Sequence, residues 1–166
     1  GVVAGGLVIF VLGVIDDLRA LKPEAKLVGQ IFAAFLLVLS GVRLDLFIGP
    51  LLEHVPGLGG LDSDTLGTIT VVISSGVTMF WVVMLTNSMN FLDNMDGLAG
   101  GVSAIAAISF FLCLLPSEEH FICTLLMVFT GAICGFLYHN LNPARIFMGD
   151  SGAMFCGYVL ATVAVL

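Results

Sequence analysis

The chain alternates between long apolar runs and short polar segments. The apolar runs cover about residues 1–15, 25–48, 68–86, 98–115, 121–138 and 152–166. A helix needs roughly 20 apolar residues to cross a bilayer, and the interior runs reach or approach that length. The pattern predicts an all-α fold: a polytopic transmembrane helix bundle of about six spanning segments, forming one integral-membrane domain over residues 1–166. The outermost runs are cut by the ends of the sequence, so the chain reads as a fragment truncated on both sides. No internal repeat or low-complexity segment interrupts the pattern.

The polar segments are short and distinct. Asp16-Asp17 closes the first run, and a link over 18–24 follows, with Pro23 placed to start the next helix. That second run carries Arg43 and Asp45 in its expected last turn. Residues 49–67, rich in Gly, Pro and Leu and holding Glu53, His54, Asp62 and Asp64, have no helical period and read as an interfacial loop. The third and fourth runs are separated by Asn87-Ser-Met-Asn90-Phe-Leu-Asp93-Asn-Met-Asp96-Gly97. A tight turn is expected at 116–120, and a polar segment at 139–151.

Composition supports the membrane reading. The chain is 59% hydrophobic and only 10% charged, against about 25% charged in soluble domains. It opens at Gly1 with no basic stretch, so no secretory signal is recognisable. The four cysteines, Cys113, Cys123, Cys134 and Cys156, all fall in apolar runs without metal-binding spacing. They read as small buried hydrophobes, and no disulfide is expected.

Charge placement sets the topology. Counting crossings puts 16–24, 87–97 and 139–151 on one face of the membrane. Arg19, Lys22, Lys26 and Arg145 lie on that face, and only Arg43 of the five basic residues lies on the other. The positive-inside rule makes the shared face cytoplasmic.

Three polar clusters therefore open on one surface. Two adjacent carboxylates at a helix C-terminus face the negative end of the helix dipole and repel each other. A cation, or a basic role for one of them, relieves Asp16 and Asp17; the bland alternative is that both point into water beside Arg19 and Lys22. Asn87, Asn90, Asp93 and Asp96 are spaced three apart, which stacks them in one ladder if the helix continues through them. Amide and carboxylate oxygens are hard ligands that suit Mg²⁺ and its phosphate partners. The third cluster holds His139, Asn140, Arg145, Phe147 and Gly149-Asp150-Ser151-Gly152. Its last four residues also fit a serine hydrolase with His139 as base. A phosphate-and-metal loop is the favoured reading, with Phe147 free to stack on a base. Carboxylates with a divalent cation suit phosphoryl transfer, and a membrane-embedded site suggests a lipid substrate.

These motifs together resemble the polyprenyl-phosphate N-acetylhexosamine-1-phosphate transferases. The resemblance runs the whole chain in order, through Asp16-Asp17, Asn87-x-x-Asn90-x-x-Asp93-x-x-Asp96-Gly-Leu and Asn140-Leu-Asn-Pro-Ala-Arg-Ile-Phe-Met-Gly-Asp150-Ser-Gly. It implies transfer of a sugar-1-phosphate from a UDP-sugar to a polyprenyl phosphate in the cell membrane, with release of UMP. It implies Mg²⁺, or Mn²⁺ in its place, held by Asn90 and Asp150. Asp16 and Asp17 would serve the polyprenyl phosphate, one of them as base, with Asp150 as the third catalytic carboxylate. Asn87, Asp93, Asp96, Asn140, Arg145 and Phe147 would bind substrate, Phe147 against uracil. No nucleic-acid partner is implied, and a homodimer is compatible with the resemblance.

The phrase from Asn142 to Gly152, with Arg145 and Ser151, is closer to the N-acetylglucosamine branch than to the phospho-N-acetylmuramoyl-pentapeptide branch, which makes UDP-N-acetylglucosamine the expected donor. Asn94 and Ala153 depart from the residues usual there, Gly and Ser. The family carries further helices on both sides, including a later loop that helps select the sugar. Two readings from other classes are an ion-coupled transporter, which needs acids at mid-span, and an inactive membrane scaffold.

Overall fold

The computed structural model describes residues 1–44, 62–117 and 119–166. Every regular element among them is a helix: α1 Val2–Arg19, α2 Pro23–Leu39, α3 Ser63–Leu92, α4 Leu98–Leu114, α5 His120–Asn140 and α6 Gly149–Val163. The predicted all-helical membrane bundle is what the chain forms. α3 and α5 are long and apolar enough to cross a membrane. The outward surface is apolar too; Val72, Phe80, Ile105 and Val128 are all exposed, Val128 by 69%. A soluble fold does not leave such a belt in water, whereas a hydrocarbon solvent favours it. Most of the interfacial loop expected over 49–67 lies outside the described residues, as do Asp45 and Glu118.

Several boundaries differ from those the apolar runs suggest, each for a local reason. α2 stops at Leu39 instead of near 48. Ser40 Oγ donates to Leu37 O at 2.6 Å, and Gly41 turns to φ 88°, the left-handed exit that glycine allows. Arg43 is therefore not in a last helical turn. α3 begins earlier than 68 because Asp62 caps it, accepting from Thr65 N at 3.4 Å and from Thr65 Oγ1 at 2.6 Å. It also continues past 86, through Asn87 and Asn90, since no Gly or Pro breaks the helix there. α6 begins at Gly149, ahead of the expected 152.

α6, which the sequence suggests only as a last partial span, is the centre of the bundle. Its residues Met154, Tyr158 and Ala161 join a core with Ile9, Ala33, Leu37 and Val82 from α1, α2 and α3. From its other face, Cys156, Leu160 and Val163 join a second core with Met89, Ala104, Leu126 and Phe129. Small residues bring the backbones together, as helix contacts in membranes require. A Cβ on Gly13 would lie 2.3 Å from Ser151 Cα, and one on Gly157 would lie 2.7 Å from Leu85 O and Thr86 Cα. The thiols are all free, but only Cys156 is buried. Cys113 and Cys134 face outward, correcting the expectation of burial, because an apolar residue on a membrane bundle satisfies hydrophobicity on either side.

Candidate functional site

A helix leaves its first backbone N–H groups without partners. At α6 these groups are taken by two carboxylates from distant parts of the chain. Asp150 N donates to Asp17 Oδ1 at 2.8 Å and Ser151 N to Asp17 Oδ2 at 3.1 Å, while the Asp93 carboxylate lies near Gly149 N. The positive end of the helix dipole favours both acids there. Gly149 is required at the turn: its φ is 67°, and a Cβ would lie 3.0 Å from Asp17 Oδ1. One residue from each polar cluster thus meets at one helix start.

Asp16 lies inward of this junction and is 5% exposed. Its Oδ1 accepts from Leu21 N at 2.6 Å, and its Oδ2 lies against the Lys26 ammonium. The same ammonium is 2.8 Å from Asp150 Oδ2, so Lys26 brings the Asp16 and Asp150 carboxyl groups together. So the two adjacent acids do not both point into water. Lys26 neutralises one, and the α6 amides hold the other.

The expected four-step ladder is divided. Asn87 and Asn90 stand on α3, Asp93 is its C-cap, and Asp96 lies in the turn beyond. Asn87 Nδ2 donates to Gln30 Oε1 at 2.6 Å and to Val83 O at 2.8 Å. Asn90 Oδ1 is buried with no hydrogen-bond partner. Burial raises the Asp93 carboxyl above its usual range; the Gly149 N–H opposes this, and the nearby Asp150 and Asp17 charges add to it. Asp96 Oδ2 accepts from Asn142 Nδ2 at 3.1 Å and Ala144 N at 3.0 Å, holding the 141–148 loop.

Asn140 does not line open space. It is 3% exposed; its Oδ1 accepts from Gly97 N at 3.0 Å and its Nδ2 donates to Ile146 O at 2.9 Å. It fastens the α3–α4 turn to the loop before α6. Arg145 and Phe147 are exposed on that loop. Arg145 lines a hollow of about 310 Å³ with Tyr138, His139 and Asn142. Asn87, Ser88, Asn90 and Asn94 line a different hollow of about 960 Å³. Ser151 is bound to Asp17 through its backbone N–H, and His139 packs edge-on against Tyr138 with ring centres 4.9 Å apart. The hydrolase pairing is not formed.

Two site residues escape the sequence reading. Lys26 is read there only for its charge, and Gln30 not at all. The available signal is their i, i+4 spacing, which puts both on one stripe of a helix that carries no other polar side chain beyond Glu24 in its first turn. Polar side chains at such depth are functional by default.

The sequence has known relatives. The whole chain, residues 1–166, matches the family described as glycosyl transferase family 4. The chain belongs to that family. Among curated family 4 relatives, it is 32% identical over 99% of its length to a probable undecaprenyl-phosphate N-acetylglucosaminyl 1-phosphate transferase of Bacillus subtilis, covering 43% of that protein. It is 36% identical over 98% of its length to a decaprenyl-phosphate N-acetylglucosaminephosphotransferase of Mycolicibacterium smegmatis, covering 39%. It is 35% identical over 94% of its length to a phospho-N-acetylmuramoyl-pentapeptide-transferase of Desulforudis audaxviator, covering 49%. The chain spans less than half of the length of each of these relatives.

Proposed function

We propose that the protein carrying this chain transfers N-acetylglucosamine-1-phosphate from UDP-N-acetylglucosamine to a polyprenyl phosphate, releasing UMP, at the cytoplasmic face of the cell membrane. The observation that carries the reading is the meeting of Asp16, Asp17, Asp93 and Asp150 with Lys26 at the start of α6, at one end of an apolar bundle. Acids at that end, and not at mid-span, favour transfer over ion transport. The relatives' names give the substrate class.

In this reading a phosphate oxygen of the lipid attacks the β-phosphorus, the bond from that phosphorus to the bridging oxygen breaks, and UMP leaves with the bond's electron pair. Asp16 and Asp17 are both engaged, Asp16 by Leu21 N and the Lys26 ammonium and Asp17 by two α6 amides, and one of the two takes the lipid proton. Lys26 supplies positive charge beside the reacting phosphates. Asp96 and Asn140 act on the loop carrying Arg145 and Phe147, leaving those two exposed side chains to meet nucleotide.

The donor set fits Mg²⁺. Asp150 offers a carboxylate and Asn90 an amide oxygen that is buried and unpartnered. Mg²⁺ keeps several waters and is held through one or two carboxylates together with phosphate oxygens. When bound, such an ion would neutralise pyrophosphate charge.

The test uses membranes holding the full-length protein, polyprenyl phosphate, Mg²⁺ and UDP-N-acetylglucosamine. UMP release should need the lipid, stop with chelator and be lost in Asp150→Asn. Release only with UDP-N-acetylmuramoyl-pentapeptide would keep the chemistry and overturn the donor. A folded protein inert to both donors would move the scaffold reading ahead.

A further inference from the structure

Gln30 is 1% exposed inside an apolar helix, yet it is fully engaged. Its Oε1 accepts from Asn87 Nδ2 at 2.6 Å, its Nε2 donates to Asn87 Oδ1 at 3.2 Å, and Nε2 also lies 3.3 Å from Met154 Sδ. This reciprocal amide pair joins α2 to α3, with α6 packed behind it.

The orientation of the pair follows from chemistry. A backbone carbonyl only accepts, so the Asn87 atom 2.8 Å from Val83 O must be the nitrogen. With that end fixed, the Gln30 atom facing the same nitrogen must be oxygen. Gln30 nitrogen then falls against Asn87 oxygen and the Met154 sulfur, a weak acceptor. Both Nδ2 protons of Asn87 are thereby spent, one on Val83 and one on Gln30. One lone pair of Oδ1 remains, on a side chain that lines the hollow of about 960 Å³ beside Asn90.

We infer that Gln30 is a positioning residue that locks the Asn87 amide as an acceptor, so that its partner in the hollow is a hydroxyl or N–H of the nucleotide sugar and not a phosphate oxygen. The inference rests on the transferase reading for the identity of the ligand, though not for the lock. Lys26 and Gln30 then divide the work of one helix stripe. Lys26, one turn nearer the helix start, addresses the carboxylates, and Gln30 addresses the amides.

The experiment has two arms, both on the full-length protein. In the first, UMP release is followed against UDP-N-acetylglucosamine for wild type, Gln30→Met, Asn87→Ala and the double variant. Met matches the length of Gln without its amide. Gln30→Met should raise KM for the UDP-sugar on the order of tenfold, with kcat and KM for polyprenyl phosphate within about twofold. Asn87→Ala should do the same, and the double variant no more than Asn87→Ala. Multiplying effects, or a parallel fall in kcat, both KM terms and melting temperature, would overturn the inference in favour of a packing role. The second arm needs no turnover: in ¹⁵N-asparagine-labelled protein, the two Asn87 side-chain protons should exchange slowly in wild type and at least about tenfold faster in Gln30→Met. Fast exchange in wild type would sink the lock. A protein inert to all donors but with slow exchange keeps the lock and removes the transferase reading instead.

Discussion

Asp93 is a carboxyl whose placement comes at a cost to the fold. Burial raises its pKa, the Gly149 N–H partly offsets this, and the Asp150 and Asp17 charges raise it further. The folded protein therefore holds the Asp93 proton more tightly than the unfolded chain does. Ionising Asp93 weakens the fold progressively as pH climbs from the ordinary carboxylate value of 3.8 through the higher folded value. Asp93→Asn keeps an oxygen for the Gly149 N–H and removes the charge. At neutral pH the variant should melt above wild type while transferring more slowly, a trade familiar at active sites. The melting difference should shrink towards pH 4. A difference that instead widens on acidification would show that the Asp93 charge stabilises the fold. The neighbouring Asp16 presents the opposite case. Its burial is tolerated because Lys26 is there, and a buried carboxylate left without its cation costs about 3–5 kcal/mol.

At the scale of elements, the sequence speaks clearly about helices and poorly about which helix matters. Apolar runs locate the six helices among the described residues, and the three polar clusters are legible as the makings of one candidate site. Two things are not legible. The ends of α2 and α3 depend on hydrogen bonds from Ser40 and Asp62, which hydropathy ignores. The rank of α6 depends on glycines whose partners are far away in the chain: Gly13 faces Ser151, and Gly157 faces Leu85 and Thr86. The same blindness hides Gln30, whose meaning appears only when Asn87 is placed opposite it. Asn140 illustrates the reverse: a residue placed by resemblance at a ligand site is occupied at both ends of its amide by backbone. Gly157→Ala tests the packing argument. The Cβ meets backbone, which cannot rotate away, so the variant should lose about 1–3 kcal/mol of stability in detergent. Gly131→Ala, where the Cβ meets nothing within 4 Å, should be neutral or gain up to about 1 kcal/mol from helix propensity. Equal behaviour of the two would mean that α6 does not sit as tightly on α3 as the geometry requires.

For the molecule as a whole, the decisive property is that its polar ends share one side. Three residues link α1 to α2; Lys26 joins both to α6; and Asn140 and Asp96 join the α3–α4 turn to the loop after α5. The opposite end holds Ser40 after α2 and Ser117 after α4, both exposed. α3, with 30 residues, is about 45 Å long at 1.5 Å per residue, longer than the ~30 Å hydrocarbon core. Its capped start at Asp62 therefore reaches beyond the layer that α2 fills. The proposed multi-pass topology becomes measurable with every native cysteine of the full-length protein replaced by alanine. Single cysteines at Lys22, Asn94 and Asn142 should resist a membrane-impermeant maleimide on intact cells and react after permeabilisation, whereas those at Ser40 and Ser117 should react from outside. A uniform reversal would put the carboxylate site on the outer face, out of reach of cytoplasmic nucleotide sugars. Labelling that separates Lys22 from Asn94 would be more damaging. It would place Asp17 and Asp93 on opposite sides of the membrane, and no single helix start could then hold both.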